Sequence, residues 1–209
     1  MDIANGSEEA RFALASHLDK GLVAGYPDKS KYVTQSHLQN HITRTTIKQC
    51  LPNAREELLD FILSSAVKIF AILVYRRCLP PNTSLESALQ TCRDVHFDDT
   101  QLPLPESTEK CGCGKDQAFC QHEVAKSILP CDYVWRQFYN TQWTFLALEL
   151  QEGEFDYDVH GCTILPIELR HGHGEGSFSN VKEGELNQDH ARRSDGVSQI
   201  VCKTFTITD

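Results

Sequence analysis

The sequence predicts an α+β fold: a helical bundle to about residue 140, followed by a small antiparallel sheet. Two observations carry that expectation. Up to residue 140, apolar residues recur at three- and four-residue intervals between cap and breaker residues. From Trp143 onward, short β-branched runs alternate with Gly, Asn and Asp instead. A length of 209 residues, 40% of them hydrophobic and 23% charged, suffices for one ordinary domain or two small ones sharing a core. The change of texture divides a helical region, 1–140, from a β region, 141–209. No internal repeat with a period of 20–50 residues is visible.

In chain order, Ser7 to Lys20 places Phe12, Leu14, Ala15 and Leu18 near helical spacing, with Gly21 as the stop. Thr34 to Cys50 holds one or two short helices. Residues 53–78 read as one long buried helix: Phe61 to Tyr75 is apolar apart from Ser64, Ser65 and Lys68. Acidic residues precede that run and Arg76 and Arg77 follow it, which suits the helix dipole. Fifteen residues of helix give about 22 Å, short of a bilayer's roughly 30 Å core, so a buried helix is expected rather than a membrane span. Pro80-Pro81 ends it, and Ser84 caps a helix to Cys92. Residues 98–117 read as a surface loop, and 123–139 as helix interrupted near Pro130. Strands follow within WTFLALEL, CTILPIELRHG, VKEGEL and SQIVCKTFTIT.

Charge excludes some partners. Twenty Lys+Arg against 29 Asp+Glu give a formal net charge of −9, which argues against nucleic acid and acidic membranes as ligands. The N-terminus has neither the basic nor the apolar segment of a secretory signal. With nine cysteines, an odd number, reduced thiols in the cytoplasm or nucleus are expected rather than a secreted, disulfide-bonded chain.

The segment His171 to Val181, HGHGEGSFSNV, is the richest in chemistry. It fails the dinucleotide fingerprint, which needs Gly or Ala at position 177 and then a helix. The chain's Gly-Lys pair, Gly114-Lys115, is followed by Asp116 and fails the Walker pattern. A third pattern fits. Gly174-x-Gly176-x-Phe178-Ser179-x-Val181, with Ser177 between, has the glycines, tip aromatic, small residue and Val of a hairpin that closes over ATP phosphates. Downstream, Ile200-Val201-Cys202-Lys203 has the form of a V-A-I-K strand.

These motifs resemble the start of the N-terminal lobe of eukaryotic protein kinases, over about residues 163–209. His173 stands where that family usually has an aliphatic residue. The helical region ahead of them is similar to the N-terminal extension of a group of fungal kinase-like proteins. The resemblance implies ATP as ligand, with Gly174, Gly176, Ser177, Phe178, Ser179 and Val181 covering it and Lys203 on its α- and β-phosphates beneath the hairpin. It implies a serine/threonine kinase-like protein. The H-R-D and D-F-G segments that hold Mg²⁺ and the catalytic base do not occur in the sequence. Expected, therefore, is a truncated kinase-like chain without catalytic residues or bound Mg²⁺, with ATP binding weak or absent. The alternative is a non-enzymatic helical module that binds protein partners, with the β region as an appendage.

A further alternative is a zinc-stabilised binding protein. Cys111, Cys113, Cys120 and His122 supply three thiols and an imidazole, with Cys131, His160 or Cys162 as further donors. Cys-x-Cys is not the usual Cys-x₂-Cys knuckle, so free thiols are the expectation. His37 and His41 share an i, i+4 spacing without the Glu of a metalloprotease motif and read as surface histidines. Glu152, Glu154, Asp156 and Asp158 lack the Gly and terminal Glu of a calcium loop and read as solvated. No Gly-x-Ser-x-Gly elbow is present.

Overall fold

The structure is a computed structural model that describes residues 3–26, 30–80, 82–106, 121–151, 159–176, 179–192 and 199–205, the last strands by backbone alone. The class is α+β. Among these residues lie eight α-helices and seven strands: α1 Ile3–Lys20, β1 Leu22–Ala24, β2 Lys31–Val33, α2 Gln35–His41, α3 Arg44–Cys50, α4 Glu56–Ser65, α5 Val67–Arg76 and α6 Leu85–Asp94 come first. Then follow α7 Gln121–Ile128, α8 Asp132–Gln142, β3 Leu150–Gln151, β4 Ile167–Gly176, β5 Ser179–Leu186, β6 Ala191–Arg192 and β7 Gln199–Phe205.

Local chemistry accounts for most helix ends. The hydroxyls of Thr34, Thr43 and Ser84 accept from the backbone N–H three residues on, at 3.2, 3.2 and 3.0 Å. Gly21 closes α1 by donating to the carbonyls of His17 and Leu18. The α1 helix buries Leu14 and Leu18 but turns Phe12, expected on the apolar face, 68% into solvent.

The expected single helix over 53–78 is corrected by the structure. It breaks at Ala66 (φ −134°, ψ 32°), and α4 and α5 meet at a 99° bend. The break is held from a distance. Asp99, in a 3₁₀ turn at Asp99–Gln101, accepts the N–H groups of Lys68 and Ile69 at 2.8 and 2.9 Å, capping α5. Bending lets α5 bury Ile69 through Val74 as an unbroken run, touching α1 on one side and α8 on another. Among the described residues no single helix is long and apolar enough to cross a membrane.

One large core joins Leu18, Ile47, Ile62, Phe70, Leu89, Trp135 and Phe138, and so draws on α1, α3, α4, α5, α6 and α8. Part of the expected loop 98–117 enters it: Leu104 is buried, and the Gln142 carboxamide accepts its N–H (2.7 Å) and donates to its C=O (2.9 Å). Residues 107–117 lie outside the described ones. A second cluster, Tyr32, Tyr139, Trp143, Ala147 and Ile164, packs the β1–β2 hairpin against the segments on either side of 152–158.

The strand expected from Trp143 is also corrected. Trp143–Phe145 is a 3₁₀ turn continuing α8, with Trp143 and Phe145 buried, and only Leu150–Gln151 is extended. Three sheets are present among the described residues: the antiparallel β1–β2 hairpin, a parallel β3–β6 pair, and the antiparallel meander β4-β5-β7. A bridge from Tyr26 to Leu165 joins the hairpin to the approach of β4.

Candidate functional site

The meander β4-β5-β7 carries the glycine motif. Gly176 pairs with Ser179; Ser177 and Phe178, between them in the sequence, lie outside the described residues. Gly174 pairs with Val181, and Val181 pairs in turn with Lys203. One rung of the sheet thus holds Gly174, Val181 and Lys203 on three adjacent strands. The register of β4 slips between Leu169 and His171 and again between Gly172 and Gly174, leaving Arg170 and His173 as extra residues. Such bulges bend and twist a strand, and glycines nearby lower their cost. The side-chain positions of Gly-motif residues and of Lys203 are outside what the structure describes.

At the other end of the same sheet lies a cleft of about 340 Å³. Val23, Ala24 and Tyr32 of the hairpin form one wall, and Glu168, Glu185 and Leu186 the other. Glu168 and Glu185 are register partners, two carboxylates on neighbouring strands at its edge. Val181 and Glu185 are four positions apart on β5, roughly 13 Å at strand rise, so cleft and glycine turn are separate features. Burial, the larger effect, raises the Tyr32 phenol above its ordinary range, against a hydrogen bond from Asn187 that lowers it.

Behind Tyr32 sits His190, in a 3₁₀ turn at Gln188–His190 that joins β5 to β6. Its ring meets the Tyr32 ring edge to face, with centroids 5.1 Å apart. Neither ring nitrogen meets a partner at hydrogen-bond geometry among the described residues, while the Leu148 backbone favours the charged ring. No sequence pattern marked Tyr32 or His190. Their neighbourhood depends on a hairpin too short to be legible and on contacts across most of the chain.

The other candidates are dispersed. Cys111, Cys113 and Cys120 lie outside the described residues; His122 lies on α7, described by its backbone only. Glu152, Glu154, Asp156 and Asp158 are likewise outside. Cys131 and Cys162 are exposed free thiols. Cys162 lies 3.7 Å from the Tyr139 hydroxyl and donates its backbone N–H to His160 Nδ1, while the His160 ring stacks on Trp143 at 4.8 Å. Cys50, Cys78 and Cys92 are buried, and burial pushes their thiols up to about 11, 12 and 12, which keeps them protonated and inert at neutral pH.

His37 and His41 lie 4.3 Å apart, and His17 stacks on His41 at 5.3 Å, a partner the i, i+4 spacing did not show. His37 Nε2 is already committed to the carbonyl of His17, at 2.9 Å. Partial burial first, then the two neighbouring rings, lower the affinity of His41 for a proton. Among the described residues no three His, Cys, Asp or Glu side chains converge as a metal site. The chain matches no protein-family model, and no curated protein or solved structure shows detectable similarity to it.

Proposed function

We propose that residues 163–209 form a kinase-like nucleotide hairpin carried on a helical scaffold. The observation that supports this reading is the shared rung of Gly174, Val181 and Lys203 on an antiparallel meander in the strand order β4-β5-β7. Glycines in a β-hairpin let backbone N–H groups approach phosphate oxygens, and a lysine two strands away would supply a point charge to them. ATP is the ligand class. These 209 residues supply no D-F-G or H-R-D segment, so they are not expected to transfer a phosphoryl group by themselves. A hairpin and one lysine cover one side of a nucleotide, which limits affinity to about millimolar, or about −4 kcal/mol.

An acyl-phosphate derivative of ATP, which acylates an amine lying against its phosphates, tests the reading. Mass spectrometry should find Lys203 acylated ahead of the other lysines, with the label suppressed by excess ATP. Labelling of Lys203 that excess ATP leaves unchanged, or preferential labelling elsewhere, sinks it. Reading the coding sequence beyond Asp209 for H-R-D and D-F-G tests the kinase-like assignment separately. A second reading keeps the helical region, with its core from α1, α3, α4, α5, α6 and α8, as a non-enzymatic interaction module for protein partners.

A further inference from the structure

His190 is a buried histidine, 4% exposed, and both of its ring nitrogens are unpaired among the described residues. A neutral imidazole carries one donor and one acceptor, and burial without well-formed bonds for them costs free energy. A protonated ring would leave two donors and a charge in the same place, a far larger cost. The ring sits at a junction. Tyr32 of β2 covers it. The next residue, Asp189, accepts a hydrogen bond from the Ser36 hydroxyl of α2. Asn187 begins the turn by donating its N–H to the carbonyl of Pro166, at 2.8 Å, where β4 starts. The turn thus joins the base of the β4–β5 sheet to the hairpin and to α2.

We propose that the His190 turn is an acid-sensitive latch, closed while the imidazole is neutral and opened by its protonation. The charged and titratable groups facing the ring are Lys68 of α5, Glu149 ahead of β3, Asp189 in its own turn and Tyr32 of β2. Burial, the largest influence, and Lys68 both disfavour the charged ring, while Glu149, Asp189 and the Leu148 backbone favour it. The balance lowers the proton affinity of His190 in the closed state. The open state therefore binds more protons. The latch is fully engaged above the ordinary histidine value of about 6.5, and is lost progressively as pH falls from there toward the lower value of the closed state. Across that window the ratio of open to closed chains rises by up to about tenfold per pH unit.

Hydrogen exchange at the amides of residues 31–33 and 185–190, corrected for intrinsic rates and followed from about pH 7.5 to about 5.5, tests the latch. The native chain should open increasingly below about pH 6.5, and His190→Phe, which keeps a ring against Tyr32, should give a flat profile. A flat profile in the native chain overturns the proposal. So does an equal slope in folded His190→Phe, which would show that the effect does not come from His190. Where His190→Phe does not fold, the ring titration of the native chain by NMR decides: a midpoint clearly below 6.5 supports the latch, and one at or above it overturns the latch.

Discussion

Asp99 shows how much a single side chain settles in this fold. Its carboxylate takes the first free N–H groups of α5, which otherwise would face the interior unpaired at the break after Ala66. Asp99→Ala should cost about 1–2 kcal/mol in urea denaturation, and Asp99→Asn, which keeps one acceptor oxygen, less. A pH dependence follows as well. Burial raises the Asp99 carboxyl above its ordinary value of 3.8, outweighing the Lys68 and Ile69 N–H groups that lower it. The folded chain then holds this proton more tightly than the unfolded chain. The stability of the native chain relative to Asp99→Asn should therefore fall as pH rises from below 3.8 through the raised value. A difference that grows with pH would show the bonds, rather than the burial, to dominate.

That residue also shows where sequence reading stops. Between Arg55 and Arg76 nothing punctuates the chain: no glycine or proline interrupts the apolar run, so one helix is the natural expectation. The break depends on a cap 31 residues beyond Lys68 and on the gain from burying two faces at 99°. The caps at Thr34, Thr43 and Ser84 are local: each bonds three residues away, and Ser84 was legible. The exposed surface pairs, Arg44 with Glu56 and Asp60, follow the helices and do not direct them.

At the scale of elements, the least legible piece is the β1–β2 hairpin. Its strands have three residues each, too few for alternation to show, and they lie between helices. The hairpin is fixed by contact. Tyr26 exchanges both backbone bonds with Leu165, at 3.0 and 2.8 Å, and Gly25 beside it leaves no room for a side chain. A Cβ there would come within 2.7 Å of both the Leu165 carbonyl oxygen and the Ile164 side chain. Gly25→Ala must push the hairpin off this backbone, at a cost of about 1–3 kcal/mol. The Tyr26 amide should then lose protection from exchange while those of α4 and α5 keep theirs. Equal protection at Tyr26 in the variant would show that the contact yields without separating. The aromatic run Trp143–Phe145 misled in the opposite way: its β-propensity yielded to burial at the end of α8, where a 3₁₀ turn places both rings inside.

For the whole molecule, the consequence is an uneven distribution of stability. The helical region buries a continuous core from Leu14 to Phe145. Beyond residue 158, the described buried apolar side chains are Ile164, Pro166, Ile167 and Leu186, all at the base of the β4–β5 sheet. The rung with Gly174, Val181 and Lys203 lies farther out along strands described by their backbone pairing, which make few backbone contacts with the helices. Opening that outer part exposes little of the large core, so it should open locally at a free energy well below that of global unfolding. Native-state hydrogen exchange in increasing urea would measure this. Amides at Gly174, Val181 and Lys203 should exchange by openings almost insensitive to urea, while those at Phe70 and Ile72 should follow global unfolding. Coincidence of the two sets would mean that the glycine hairpin is as firmly built as the helical core. Millimolar ATP should then separate the readings. A ligand held by the hairpin stabilises the closed sheet by RT ln(1 + [L]/Kd), slowing exchange at these three positions about twofold when [L] equals Kd, with α4 and α5 amides that open independently of the site unaffected. Exchange at the rung that ATP leaves unchanged up to several times the expected Kd would leave the glycine turn without the ligand its pattern suggests.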